Sequence, residues 1–147
     1  MSTKLHDEYN KDFYAWAIHN AELIRQGKLN EIDAENVAEE LEGMGNNNKR
    51  ELINRFAVLI AHLLKWKFQP IRHSKSWTLT IKNQRFEILD LLEESPSLKY
   101  QIELKFNHAY EKAKIICSEQ IGIDENELPK NCPFNLEECL NFNFLPD

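Results

Sequence analysis

His62, Lys65 and Trp66 lie within about one turn of an expected helix and open the stretch of this sequence richest in groups that could do chemistry. Trp66 and Trp77 bracket a connecting loop that carries Lys67, Arg72, His73 and Lys75, and Lys82 and Arg85 follow it. Cations interleaved with aromatic rings can hold a phosphorylated small molecule, stack a single nucleic-acid strand, or receive an acidic partner helix. A helix starting near Trp77 would turn its positive N-terminal end toward the same loop, where Ser74 and Ser76 add hydroxyl donors. Glu40 and His62 add potential acid–base chemistry, because a carboxylate beside a histidine provides a tunable proton carrier. Glu40 falls at the edge of an apolar stripe, where a partly desolvated carboxylate needs a cation; Arg55, Lys65 and Arg85 are the expected partners.

Metal and cofactor signals are missing from the residue pattern. Val58, Leu59, Lys65 and Trp66 occupy the helical neighbours of His62, so no second ligand sits at the required spacing. Cys132, Cys139 and His108 match no standard zinc arrangement. There is no glycine-rich phosphate loop and no G-x-S-x-G string, and no cofactor is expected.

These groups must be positioned by helices, because the apolar periodicity is helical nearly throughout. Asp12 is placed to cap a helix bearing Phe13, Trp16, Ala17, Asn20, Leu23 and Ile24 on one face, with Gly27 as its stop. Asn20 falls inside that stripe, and its amide needs a partner at a helix junction. Asp33 caps a short helix to Glu42, which Gly43 and Gly45 are expected to break. A helix over about 47–67 carries Leu52, Ile53, Phe56, Leu59, Ile60, Leu63 and Leu64, and Pro70 ends it. Ser74 or Ser76 starts the next, over about 77–94. Ser95-Pro96-Ser97-Leu98 signals a restart running to Gly122, and Asn135 caps a last short helix at 136–140. The expectation is an all-α fold: a compact helical bundle of about five main helices plus short terminal helices, one domain over 1–147 with residues 1–8 flexible.

Composition bounds the function classes. The chain has 147 residues and a formal net charge of −6, which argues against a wholesale nucleic-acid coat. Residues 49–86, however, hold nine basic side chains against one acidic, a net of +8, while the rest of the chain carries −14. Three cysteines without a C-x-x-C pair, a polar Met1–Asn10 stretch and no apolar run of membrane-spanning length point to a cytoplasmic protein with reduced thiols.

Several strings occur together in order: Asp12-Phe13-Tyr14-Ala15-Trp16, Glu35-Asn36-Val37-Ala38-Glu39-Glu40-Leu41-Glu42-Gly43-Met44-Gly45, His62-Leu63-Leu64-Lys65-Trp66, Ser74-Lys75-Ser76-Trp77, Gln84-Arg85, and Cys132-Pro133-Phe134. With them the chain resembles the bacterial domain-of-unknown-function family 29 from about residue 7 to 146. The resemblance implies a small intracellular helical domain and brings no activity, substrate or catalytic residue with it. His73 stands where that family would show Arg.

Two functional readings follow. The first is a non-catalytic interaction module whose basic helix–loop–helix, 62–85, binds an acidic partner, an anion or a second copy of the chain; nucleic acid is possible but not favoured, and no membrane is implied. Its candidate binding residues are Glu40, His62, Lys65, Trp66, Arg72, Ser76, Trp77 and Arg85. The alternative is an enzyme on a phosphorylated or anionic small molecule, using Glu40 and His62 with Lys65, Arg72 and Arg85. Against both stands the option that the loop cations only balance the acidic helices of the same chain.

Overall fold

The computed structural model describes residues 3–147, and among them it has six α-helices, three short 3-10 turns and no strand. The helices are α1 (Thr3–Lys11), α2 (Phe13–Arg25), α3 (Ala34–Phe68), α4 (Lys75–Glu94), α5 (Ile102–Ile121) and α6 (Leu136–Leu140). The fold is all-α, as its periodicity requires. Two compact units divide it, Met1–Asn47 and Asn48–Asp147, where one domain is expected from the sequence.

In the first unit, α1 begins at Thr3, and residues 1 and 2 of the stretch expected to be flexible lie outside the described residues. Leu5 and Tyr9 are one helical turn apart and give α1 an apolar side. Leu5 is buried, and the Tyr9 ring packs against Trp16 with centroids 4.8 Å apart. Asp12 caps α2 by accepting from the Ala15 N–H at 3.2 Å. At the other end Gly27 adopts φ 76°, and the Lys28 and Gly27 amides return to the Leu23 and Ile24 carbonyls. That pairing closes the helix in a left-handed cap, which a residue with a Cβ enters only at a cost.

Buried Asn20 is satisfied on both sides. Its amide donates to the Trp16 carbonyl and its oxygen accepts the Asp33 N–H, each at 2.8 Å. Asp33 in turn accepts from the Trp16 indole at 2.9 Å and from the Asn36 amide at 2.8 Å. Burial pushes the Asp33 carboxyl up, but the Asn36 and Trp16 donors and the nearby His6 outweigh it and hold the group below the usual carboxylate range.

The break expected at Gly43 and Gly45 does not occur, and α3 continues through both for 35 residues. Each helical glycine costs only about 1 kcal/mol relative to alanine. The apolar run from Leu52 to Leu64 on the same helix buries enough surface to exceed that penalty.

In the second unit the core is built from Leu52, Phe56, Leu59, Ile60, Leu63 and Leu64 of α3, Ile81, Ile88 and Leu92 of α4, and Phe106, Ala109, Ala113 and Cys117 of α5. Phe56 meets Phe106 edge to face, with centroids 5.6 Å apart. Ser74, rather than Ser76, caps α4 by accepting from the Trp77 N–H at 3.2 Å. The restart at Pro96 yields only a 3-10 turn, Pro96–Lys99, and α5 begins at Ile102 after Gln101 takes φ 52°. Lys105 stabilises this interruption, since its ammonium donates to the Leu98 and Tyr100 carbonyls at 2.7 Å each. Asn135 opens α6 in a capping box with Glu138.

Candidate functional site

The basic segment of the second unit sorts into cations that the fold consumes and cations that it leaves outside. Arg85 is consumed. It is only 2% exposed, and its Nε donates to the Cys139 carbonyl at 2.7 Å while Nη2 donates to the Phe144 carbonyl at 2.9 Å and leans toward that of Glu138 at 3.4 Å. Burial lowers its pKa, against the raising influence of Cys139. Arg85 is thus a strut between α4 and the C-terminal segment, and its guanidinium is spent on backbone oxygens rather than held out for an anion.

Lys65 is consumed as well. Its ammonium donates to Gln120 Oε1 at 2.6 Å and lies 5.0 Å over the centre of the Trp77 ring. Burial pulls its pKa down. Arg55 is answered by Glu51 at 3.2 Å, Glu87 at 3.7 Å and the Gln84 amide oxygen at 3.3 Å. All of these partners lie in the second unit, to which the three cations themselves belong. Glu40 belongs to the first unit, half-buried beside Tyr9, whose hydroxyl pKa is raised by burial and then by the Glu40 carboxylate.

His62 is half-buried, with Nδ1 donating to the Val58 carbonyl one turn back at 2.9 Å. Burial draws its pKa below the usual histidine range despite that bond, and Lys65 adds to the lowering. Trp66 is half-buried under His73, whose ring stacks on it at 3.6 Å and whose Nε2 donates to the Trp66 carbonyl at 2.7 Å. His73 therefore satisfies one of the carbonyls left over at the end of α3. Trp77 is half-buried beneath Lys65. Each tryptophan thus has one ring face covered from within the chain.

Arg72 and Ser76 are exposed, together with Lys67, Lys75 and Lys82. Among the described residues, these four cations make no ion pair. On α4, Lys75, Leu79, Lys82, Phe86 and Leu89 fall within about 40° of one line along the helix, a stripe about 21 Å long. All five are exposed, Leu79 at 55% and Phe86 at 52%. Phe142 extends the surface by packing edge-on against Phe86 at 4.9 Å. Ile71, next to Arg72, is 98% exposed. The signal for this stripe is the i, i+4, i+7, i+11 spacing in the sequence. It goes unread there because Arg85 counts as an outward cation until its direction is known.

Two cavities are each lined within one unit and share no residue with this face. In the first unit a hollow of about 560 Å³ is lined by Glu8, His19, Glu22 and Glu31, with His19 3.0 Å from Glu8. In the second unit one of about 550 Å³ is lined by Tyr110, Lys114, Lys130 and Cys132 among others. Among the described residues no three His, Cys, Asp or Glu side chains converge as a metal site would require, and no helix is long and apolar enough to cross a membrane.

A family model described as Domain of unknown function DUF29 matches residues 8–145. The chain belongs to this family. No curated protein and no solved structure matches this DUF29 chain. The family boundary takes in α2 to α6 and the last turn of α1, so both compact units contribute to the DUF29 domain.

Proposed function

We propose that this DUF29 protein is a non-catalytic interaction module of the bacterial cytoplasm, and that the outer face of α4 with its preceding loop receives an acidic, amphipathic segment of a partner protein. The observation that carries the reading is the alternation of unpaired cations and large exposed apolar side chains along that face: Lys75, Leu79, Lys82, Phe86 and Leu89, with Arg72 and Ile71 at its head. Exposed leucine and phenylalanine favour a surface that becomes covered, and lysines between them select carboxylates as the companions of the covering apolar groups. The N-terminal end of α4 adds a positive dipole at Lys75 and Ser76.

A nucleic-acid strand fits less well, because stacking needs free ring faces and one face of each of Trp66 and Trp77 is already occupied. The enzymatic reading loses support from the placement of Lys65 and Arg85, whose charged ends are engaged within the fold. Three free cysteines agree with a reducing compartment.

The test uses a fluorescein-labelled helical peptide with leucines on one side and glutamates flanking them, titrated by anisotropy at two salt concentrations. Wild-type protein should bind it, more weakly at higher salt. Lys75→Glu with Lys82→Glu should weaken binding roughly tenfold or more, since each exposed pair is worth up to about 1 kcal/mol and reversal adds repulsion. Unchanged circular dichroism would show that the double variant folds. Equal binding by wild type and variant, or tighter binding of a single-stranded oligothymidylate, would overturn the proposal.

A further inference from the structure

The N-terminal half of α3, in the first unit, presents an acidic counterpart to the outer face of α4. Val37, Leu41 and Met44 lie within about 60° of one line along the helix. Leu41 is 62% exposed and Met44 63%. Glu35 and Glu42 stand about 100–120° to one side of Leu41, and both are exposed. Among the described residues neither carboxylate makes an ion pair. Large apolar side chains beside unpaired charges are also what α4 displays, but there the charges are positive.

The two faces match in spacing as well as in sign. Lys75 and Lys82 are seven residues apart, and so are Glu35 and Glu42. At about 1.5 Å per residue each pair spans about 10.5 Å, so two such helices laid parallel bring both carboxylates level with both ammonium groups at once. In the same register Leu41 and Met44 come level with the gap between Leu79 and Phe86, where an apolar ridge can enter a groove. One alignment therefore satisfies the charges and covers the apolar side chains together.

We infer, resting on the reading of α4 as a docking face, that its partner is a second copy of this chain. The acidic N-terminal half of α3 in one copy seats on the outer face of α4 in another. Each copy carries both surfaces, so association needs no other protein. The contact is heterologous, because different surfaces of the two copies meet; it closes when two copies reciprocate it and extends head to tail when they do not. Leu41 and Met44 supply the apolar burial, while Glu35 and Glu42 fix the register and exclude a like-charged face. Exposed ion pairs are individually weak and screened by salt, so association rises with protein concentration and declines with ionic strength.

The experiment follows the mass of the full chain by light scattering over a wide concentration range at two salt concentrations. Wild-type mass should rise with concentration and fall back at the higher salt. Lys75→Glu with Lys82→Glu, or Glu35→Lys with Glu42→Lys, should each weaken self-association roughly tenfold or more. Mixed together, the two double variants should associate again, because each supplies the sign that the other has lost. A second measurement needs no variant to fold: carbodiimide treatment of heavy-nitrogen-labelled and unlabelled wild type, mixed, should join Glu35 or Glu42 of one isotope to Lys75 or Lys82 of the other. A wild type that stays monomeric throughout, or whose association survives both double variants, would overturn the inference. Monomeric wild type that still binds the acidic peptide refutes the second copy and leaves the α4 docking face standing. Loss of peptide binding as well refutes both.

Discussion

Replacing Arg85 by methionine tests most directly whether the basic segment is partly structural. The substitution keeps an unbranched apolar stem and removes the guanidinium, leaving the carbonyls of Cys139 and Phe144 without their donor. The third contact, to Glu138 at 3.4 Å, is too long to weigh. Each buried acceptor left unpaired costs about 1–3 kcal/mol. The desolvation of the cation, visible in its lowered pKa, is recovered and offsets part of this. A net loss of about 2–4 kcal/mol remains, independent of salt because the group is buried.

Cys139 supplies a local reporter, since its fully buried thiol reacts only when the C-terminal segment opens. At about 1.4 kcal/mol per factor of ten, the loss should raise Cys139 alkylation roughly thirty- to several-hundredfold, read by fragmentation of the tryptic peptide 131–147. Arg85→Lys should fall between the two, because an ammonium lacks the fork that reaches both carbonyls. A variant that unfolds in urea within about 1 kcal/mol of wild type, with Cys139 labelled no faster, would refute the strut.

Two further outcomes concern protonation. Asp33 has its pKa lowered in the fold, so its stabilisation is present above the unfolded value of about 3.9 and is lost as pH falls through the lower folded value. Acid unfolding followed by circular dichroism should show this decline below about pH 4, and Asp33→Asn should be destabilised at pH 7 and flatter there. His62 also has a lowered folded pKa, so protonation opposes folding: its contribution is complete above about pH 6.5 and fades as pH drops through the folded value. An NMR titration should place the His62 midpoint below that of a free histidine; a midpoint at or above it would contradict the burial argument.

The caps were legible because they depend on neighbours in sequence. Asp12, Ser74 and Asn135 each bond an amide three residues on, and Gly27 and Gly122 take the positive φ that ends α2 and α5. Asn20 was legible as a buried amide needing partners, though not which ones; Asp33, 13 residues away, supplies one of them. Glycine was misread where its cost competes with distant packing, as at Gly43 and Gly45.

By itself the sequence determined an all-α chain, the ends of most helices, the DUF29 membership and the concentration of positive charge between residues 49 and 86. Only the tertiary structure decided which of those cations are buried and which face solvent. Lys82 and Arg85 are both cations on α4, three residues apart; one faces solvent and the other is buried against three carbonyls. A net charge has no direction, whereas a helix turns 100° per residue and packs one side inward.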